Sequence, residues 1–549
     1  MSGFIPRVLF YAAVGLAGAA AHAADNPAAD VASGVDARFY LATRAIPDYV
    51  DRDSRGTAVW SAVQSFYRTR DYRLAWVADG VLSPDAEAVA RIVARADGEG
   101  IASSFTGARP DASEAGHDVH LTYSFLKYAA DLSGRFDPKT AGPFWLTRPQ
   151  PRDLVPWLEQ ALATRQVVAA FAALSPEPPA YGALKDALLR YREIERNGGW
   201  PALPLRLTLR GGRRSPHASV LRARLAAEGY LPSTPAAASD VYDAALVEAV
   251  KRFERLHGLA ADGGLDAAAV AALNVPVDER IRQIELNLER WRWLPRDRGR
   301  RSLVVNVPSF QLTAYDGGQP TLTMKVVTGT PDSPTPVFSG EMTTVVFSPY
   351  WNVPPTIAAD EIIPAVLRDP GYLRRHNLEL VRGTQVVGQA ALRRGDVQIR
   401  QRPGARNALG LVKFVFPNPF NVYLHDTPAD GLFTRPTRAF SHGCIRVEKP
   451  FELARWVLSG LPPWTARAVT AAMRSGRERH LALPGPIPVY ITYQSVEATA
   501  DGAVFFWPDV YGHDRVQMPL LPGPSPRVPE RSIAGDAGGL AAEPVATTH

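Results

Sequence analysis

Cys444 is the only cysteine in this chain of 549 residues. It lies in the run Ser441-His442-Gly443-Cys444-Ile445-Arg446-Val447, and a second histidine, His425, stands upstream in Tyr423-Leu424-His425-Asp426-Thr427-Pro428. A lone thiol with imidazoles nearby is the minimum set for nucleophilic acyl transfer, because the thiolate attacks and a histidine must take its proton. An inert, buried structural cysteine is the alternative that any isolated thiol carries. Zinc held by His425, His442 and Cys444 is a further alternative, but it lacks a fourth protein ligand and no other Cys/His cluster supports it. No metal or cofactor is therefore expected.

The elements that must position these groups belong to a β-rich segment. From Ser302 the apolar period changes from helical to alternating, and Asp316-Gly317-Gly318 joins two such runs as a hairpin signal. Further strands are expected at 343–347, 413–416, 421–425, 488–493 and 503–506. Alternation along 421–425 puts Val422 and Leu424 on one face and Tyr423 and His425 on the other, so His425 faces away from the core at a strand end. The segment 354–407 reverts to a helical period and is rich in Arg, Pro and Gly. It interrupts the β domain and reads as a helical lid insertion. A helix over 451–458 follows the cysteine.

Upstream the pattern is helical. Residues 37–210 read as a helical scaffold domain, with Val59, Val63, Phe66 and Tyr67 on one stripe and a helix over 121–132. His117 and His120, just before that helix, read as surface loop histidines. A compact three-helix module occupies 213–276: one helix from His217 closed by Gly229, a longer one over 242–257 with Ala245, Val250, Phe253 and Leu256 inward, and a short one capped by Asp266. A linker helix within 277–300 carries Ile281, Ile284, Leu288 and Trp291 on one stripe. The β-rich domain spans 301–515, and the Pro/Gly/Ala-rich tail 519–549 reads as disordered. The fold class is multidomain α+β: helical N-terminal scaffold, three-helix module, β-rich domain with an insertion.

The net charge of +6 is spread without a basic block. That argues against nucleic acid as a partner and suits an acidic polymer. Residues 1–24 combine an early Arg7, an apolar run and Ala21-His22-Ala23-Ala24, which reads as a cleavable export signal, with an uncleaved anchor as the alternative. In an oxidising compartment a single cysteine has no internal disulfide partner, so its retention favours a chemical role.

His425 with Ser441-His442-Gly443-Cys444-x-Arg446 resembles the signature of L,D-transpeptidases with a YkuD-type catalytic domain. Tyr350-Trp351-Asn352-Val353-Pro354, the His425-Asp426-Thr427-Pro428 run and the insertion are similar to the large YcbB-like branch. The module at 213–276 resembles a peptidoglycan-binding domain, departing from it at Asp266 and Ala269. The resemblance implies Cys444 as nucleophile, His425 as its proton acceptor and donor, and the Asp426 carbonyl as the group orienting His425. It also implies an oxyanion hole from the Gly443 and Cys444 N–H groups, and a pocket-shaping or carbonyl-polarising His442. Arg446, Tyr423, Ser441, Trp351 and Asn352 are the implied substrate-binding residues, with a structural ion pair as the other reading of Arg446. The implied partners are peptidoglycan stem peptides in the periplasm, and carbapenems as inhibitors. The acceptor is left open, as is oligomeric state. An L,D-carboxypeptidase or a lipoprotein-attaching transferase using the same thioester, and a non-catalytic wall-binding scaffold, are the alternatives.

Overall fold

The computed structural model describes residues 37–522, apart from 43–44, 79–80, 102–112, 138–141, 143, 148–152, 177–178, 233–238, 370 and 395–396. The expected export signal and the tail beyond Pro522 lie outside the described residues.

The described chain falls into two compact units. The first takes residues up to 90, 107–127 and 154–167. Its helix α1 (Ser54–Thr69) starts where the Asp53 carboxylate accepts the Gly56 N–H at 2.6 Å, and it buries Val59, Trp60, Val63, Phe66 and Tyr67. Helix α2 (Glu114–Leu132) begins well before the expected Leu121. His117 and His120 therefore sit on this helix and are buried, which corrects their reading as surface loop residues. On the same helix, the Asp118 carboxylate accepts the N–H groups of Ala75, Trp76 and Val77 and the Tyr67 hydroxyl. Those bonds satisfy a carboxylate that burial would otherwise make costly.

The second unit holds 91–106, 128–153 and everything from 168 on. The expected scaffold 37–210 is thus divided: α3 (Pro179–Arg196) belongs to the second unit. The three-helix module consists of α4 (His217–Ala227), α5 (Ala244–Leu256) and α6 (Ala267–Leu273). Asp243 and Asp266 cap the latter two by accepting the Leu246 and Ala269 N–H groups. The Asp243 cap sets the phase of α5, so Leu246, Ala249, Val250 and Phe253 face the core, and Ala245 does not. Helix α7 (Val277–Arg292) is more than a linker: Ile281, Ile284 and Leu288 share a core with Tyr181, Leu184 and Leu188 of α3 and with Val496 and Phe506 near the C terminus.

The β domain has β1 (Arg301–Asn306), β2 (Gln311–Asp316), β3 (Gln319–Gly329) and β4 (Ser339–Phe347) before the insertion. The insertion contains β5 (Trp351–Asn352), β6 (Leu378–Arg382), β7 (Gln385–Val387) and β8 (Gln398–Gln401). After it come β9 (Val412–Val415), β10 (Leu424–His425), β11 (Ala439–Ser441), β12 (Ile445–Val447) and β13 (Arg479–Thr492). One nine-stranded sheet runs β11-β3-β12-β10-β9-β4-β13-β1-β2, and β2 pairs again with β3. That second pairing closes the sheet on itself around Leu303, Val305, Met324, Val345, Phe414, Leu424, Ile445 and Val489. Helices α8 (Pro450–Val457) and α9 (Ala466–Met473) add Leu453, Ala454 and Val469 to this core.

The insertion is not purely helical. A bent helical stretch from Pro355 to Arg368, π-wound over Ala358–Ile362, packs on a four-stranded sheet β5-β8-β6-β7 around Val353, Ile362, Val366, Leu380 and Ile399. Strands β6 and β7 form a local hairpin, whereas β8 pairs with β5 and β6 across longer sequence gaps. The structured chain also runs past Pro519, where the disordered tail was expected to begin: Leu521 is buried, and Arg282 donates to the carbonyls of Met518, Leu521 and Pro522.

Glu289 on α7 is fully buried and accepts from the Arg135 backbone N–H, Arg135 Nε (2.9 Å), Arg292 Nη1 (2.9 Å) and Trp293 Nε1 (3.1 Å). Removing it strands two buried guanidiniums. Glu289→Ala is expected to cost about 3–5 kcal/mol of stability, read as a lowered urea midpoint; an unchanged midpoint would show that the cluster contributes nothing.

Candidate active site

The site forms where three strands lie side by side. Lys413 of β9 is opposite His425 of β10, and His425 lies beside Arg446 of β12. Tyr423 and His425 point away from the apolar core that takes Val422 and Leu424, yet His425 is itself buried. Its Nδ1 lies 2.6 Å from the Asp426 carbonyl oxygen. A carbonyl only accepts, so Nδ1 carries the proton and Nε2 presents a lone pair. Burial is the main cause that pushes the imidazole down to about 3; the cations of Arg446 and Lys413 add to it, and the Asp426 carbonyl opposes it. At neutral pH His425 is therefore an uncharged base of fixed tautomer.

Asp426 is held in turn. Its carboxylate accepts the Leu411 and Thr427 N–H groups, each at 2.7 Å. It packs so closely on Gly410 that a Cβ there would overlap it, so this glycine is required by close approach. The carboxylate thus serves the turn while the carbonyl serves His425.

Cys444 sits in the short connection between β11 and β12 and is partly exposed. Its Sγ lies 3.8 Å from the Asn421 carbonyl oxygen. Burial pushes the thiol above its ordinary value, against the opposing effects of Tyr423, Lys413 and Arg446. The Tyr423 ring centre is 5.6 Å from that of His425, and burial together with Cys444 pushes its phenol up, so it stays a neutral donor.

The peptide between Gly443 and Cys444 is fixed from behind. Gly443 has φ +104°, a conformation open to glycine. Its carbonyl accepts the hydroxyl of buried Thr335 at 2.8 Å, and that hydroxyl oxygen accepts the Gly329 N–H at 2.9 Å. In a trans peptide C=O and N–H point oppositely, so this bond aims the Cys444 N–H away from Thr335. Among the described residues that N–H has no acceptor. Of the two amides expected in an oxyanion hole, the Gly443 N–H donates to Ser441 Oγ at 3.2 Å in this structure. Ser441 Oγ donates to the Cys444 carbonyl at 2.5 Å, so Ser441 shapes the loop.

The remaining expected residues separate. His442 is exposed and its Nε2 lies 3.0 Å from Glu361 Oε1 in the insertion, so it ties the cysteine loop to that segment. Arg446 has no carboxylate partner among the described residues, which leaves no support for an ion pair holding the loop. Trp351 and Asn352 lie on β5 of the insertion sheet, paired with Gln401 and Arg400, and make no hydrogen bond to Cys444 or His425. The sequence reading missed Lys413 and Thr335. A lysine in an otherwise apolar strand was a readable signal for the first, whereas Thr335 had none.

With the thiol raised and the imidazole neutral, Cys444 rests as a thiol. Its alkylation by iodoacetamide is expected to accelerate as pH climbs past the ordinary thiol value of 9.0, with no plateau below roughly pH 7; such a plateau would reveal a thiolate–imidazolium pair instead. Thr335→Val is expected to slow acylation of Cys444 by an activated acyl donor about 10- to 100-fold by releasing one oxyanion donor, while leaving alkylation unchanged and with Thr335→Ser restoring the rate. Equal losses in both reactions would reduce Thr335 to a folding role.

Three families match successive parts of the chain. Residues 300–470 match the YkuD family, described as "L,D-transpeptidase catalytic domain", residues 61–188 a "Scaffold domain", and residues 214–273 a "Putative peptidoglycan binding domain". A Haemophilus influenzae protein named "Putative L,D-transpeptidase" is 32% identical over 240 residues, covering 42% of this chain and 48% of that protein. The chain thus spans about half the length of that relative. Solved L,D-transpeptidases from Mycobacterium smegmatis (13% identity, TM-score 0.20, 35% of this chain and 58% of that one) and Stackebrandtia nassauensis (12%, 0.20, 53% and 97%) overlap too weakly to carry weight. Residues 300–470 are accordingly a YkuD-type L,D-transpeptidase catalytic domain, preceded in the same chain by a peptidoglycan-binding domain.

Proposed function

We propose that this protein is an exported, periplasmic L,D-transpeptidase that joins peptidoglycan stem peptides through a thioester on Cys444. The observation that carries this reading is the neutral His425, its Nδ1 held by the Asp426 carbonyl, on the strand paired with the one that follows the lone thiol Cys444 in an L,D-transpeptidase domain. The donor is a tetrapeptide stem. Cys444 loses its proton to His425 Nε2 as sulfur attacks the carbonyl of the third residue, diaminopimelate. The negative oxygen of the tetrahedral intermediate takes the Cys444 N–H, with the Tyr423 hydroxyl as a further neutral donor. His425 returns the proton to the nitrogen of the leaving D-alanine, and the carbon–nitrogen bond breaks to leave the thioester.

In the second half the side-chain amine of a neighbouring stem's diaminopimelate attacks that thioester. His425 takes its proton, then gives it to the departing sulfur. One peptide bond is broken and one made, so no ATP is required, which suits an exported enzyme. The peptidoglycan-binding domain supports the choice of substrate. The same thiol is expected to be acylated by carbapenems.

The test is incubation with disaccharide-tetrapeptide and mass analysis of the products. Wild type is expected to release D-alanine and form a cross-linked dimer, Cys444→Ala to form none, and His425→Ala to lose at least about 100-fold in rate, the scale of a general base. Dimer formed by Cys444→Ala would refute the thioester; tripeptide without dimer would make the enzyme a carboxypeptidase.

A further inference from the structure

Several buried arginines of this chain are answered by carboxylates, Arg135 and Arg292 by Glu289 and Arg290 by Asp514 at 2.7 Å, while Arg280 and Arg438 donate to carbonyl and amide oxygens. The catalytic face is different. Lys413 and Arg446 flank His425 on its two neighbouring strands, and both act electrostatically on His425 and on the Cys444 thiol. Lys413 Nζ lies 4.7 Å from the centre of the Tyr423 ring. Neither cation has a carboxylate partner among the described residues, and Arg446 Nε is buried with no hydrogen-bond partner. The carboxylate felt by Lys413 at longer range, Glu478, is already engaged: it accepts the Tyr350 N–H at 2.8 Å and lies 3.3 Å from His480 Nε2. Two half-buried cations, one on each side of His425 and neither in contact with a carboxylate, are costly, and an arriving anion would relieve the cost.

The reaction supplies such an anion in the right place. His425 must reach the nitrogen of the leaving residue, and ordinary bond lengths put that residue's own carboxyl carbon about 2.5 Å from its nitrogen. The carboxylate therefore falls among the groups that flank His425. We propose that Lys413 and Arg446 together seat the free C-terminal carboxylate of the leaving residue, so that the enzyme selects donors ending one residue beyond the scissile bond. This inference rests on the transpeptidase reading above. Lys413 and Arg446 are specificity residues: a donor extended or capped at that carboxylate leaves both cations buried and unanswered, whereas a free acid neutralises them. An aromatic platform under Lys413 holds the ammonium in place for that contact.

The test compares release of the C-terminal residue from three synthetic tetrapeptide donors: the free acid, the C-terminal carboxamide, and a donor amidated on the diaminopimelate side-chain carboxylate. Wild type is expected to favour the free acid over the C-terminal carboxamide in kcat/KM by at least about tenfold, the scale of one charge-assisted hydrogen bond. Lys413→Met is expected to bring that ratio towards one, the loss on the acid exceeding whatever loss both donors share through the field of Lys413 on His425 and Cys444, and Lys413→Arg to restore it. An unchanged urea midpoint in each variant checks that the domain is folded. Equal losses on acid and carboxamide in Lys413→Met, or a wild type indifferent to the C-terminal carboxamide, would overturn the seat. So would a preference that responds only to amidation of the diaminopimelate side chain, which would assign the cations to that carboxylate. A wild type that releases nothing from the free acid would overturn the transpeptidase reading and the seat with it, whereas release without discrimination overturns the seat alone.

Discussion

The chemistry depends on one short contact, His425 Nδ1–H to the carbonyl of the very next residue. A histidine bonded to a carboxylate gains a charged partner that favours imidazolium; one bonded to a carbonyl, and buried, does not. With Arg446 and Lys413 adding positive field, this imidazole stays neutral far into acid. Everything around the contact keeps it short. The Asp426 carboxylate turns back to bind the Leu411 and Thr427 amides, and Gly410 leaves it room to do so. The consequence is a thiol–imidazole pair that is uncharged at rest and becomes charged only as acyl transfer begins.

Closure of the sheet explains why three separated sequence stretches meet. Strand β3 pairs with β2 over its first part, with β12 over its second, and with β11 at its end. It therefore holds the strand after the cysteine, the strand before it, and, through Gly329 and Thr335, the carbonyl of the cysteine loop itself. The nucleophile's amide is oriented by Thr335, a residue far away in sequence. His442 faces the other way and meets Glu361, so the insertion and the nucleophile loop share a contact outside the reacting groups.

What could be read from the sequence was local. The Cys444 run, the alternation that separates Val422 and Leu424 from Tyr423 and His425, and the caps at Asp243 and Asp266 each need only a few adjacent residues. Some losses came where the deciding partner was distant, others from short-range side-chain bonds that the residue pattern did not single out. The insertion's strands pair between 351 and 401 across charged, turn-rich sequence, so their period was hidden. His117 and His120 looked exposed because the turn containing them is polar, yet Ser113 caps the helix earlier, accepting the Gly116 N–H at 3.0 Å, and carries them into the interior. The Gly443 amide was expected to face substrate, and only the structure shows Ser441 Oγ occupying it. Lys413 became meaningful once the register set it opposite His425.

The central claim is that His425 is a neutral base with its proton on Nδ1 while Cys444 is a thiol. The most direct measurement is nitrogen NMR of histidine-labelled protein, following the His425 ring signals against pH. One neutral tautomer, protonated at Nδ1 from roughly pH 5 to 9 and unaffected by Cys444→Ala, is the predicted result. An imidazolium signal near neutrality that disappears when Cys444 is replaced would contradict it, because it would mean that the site rests as an ion pair.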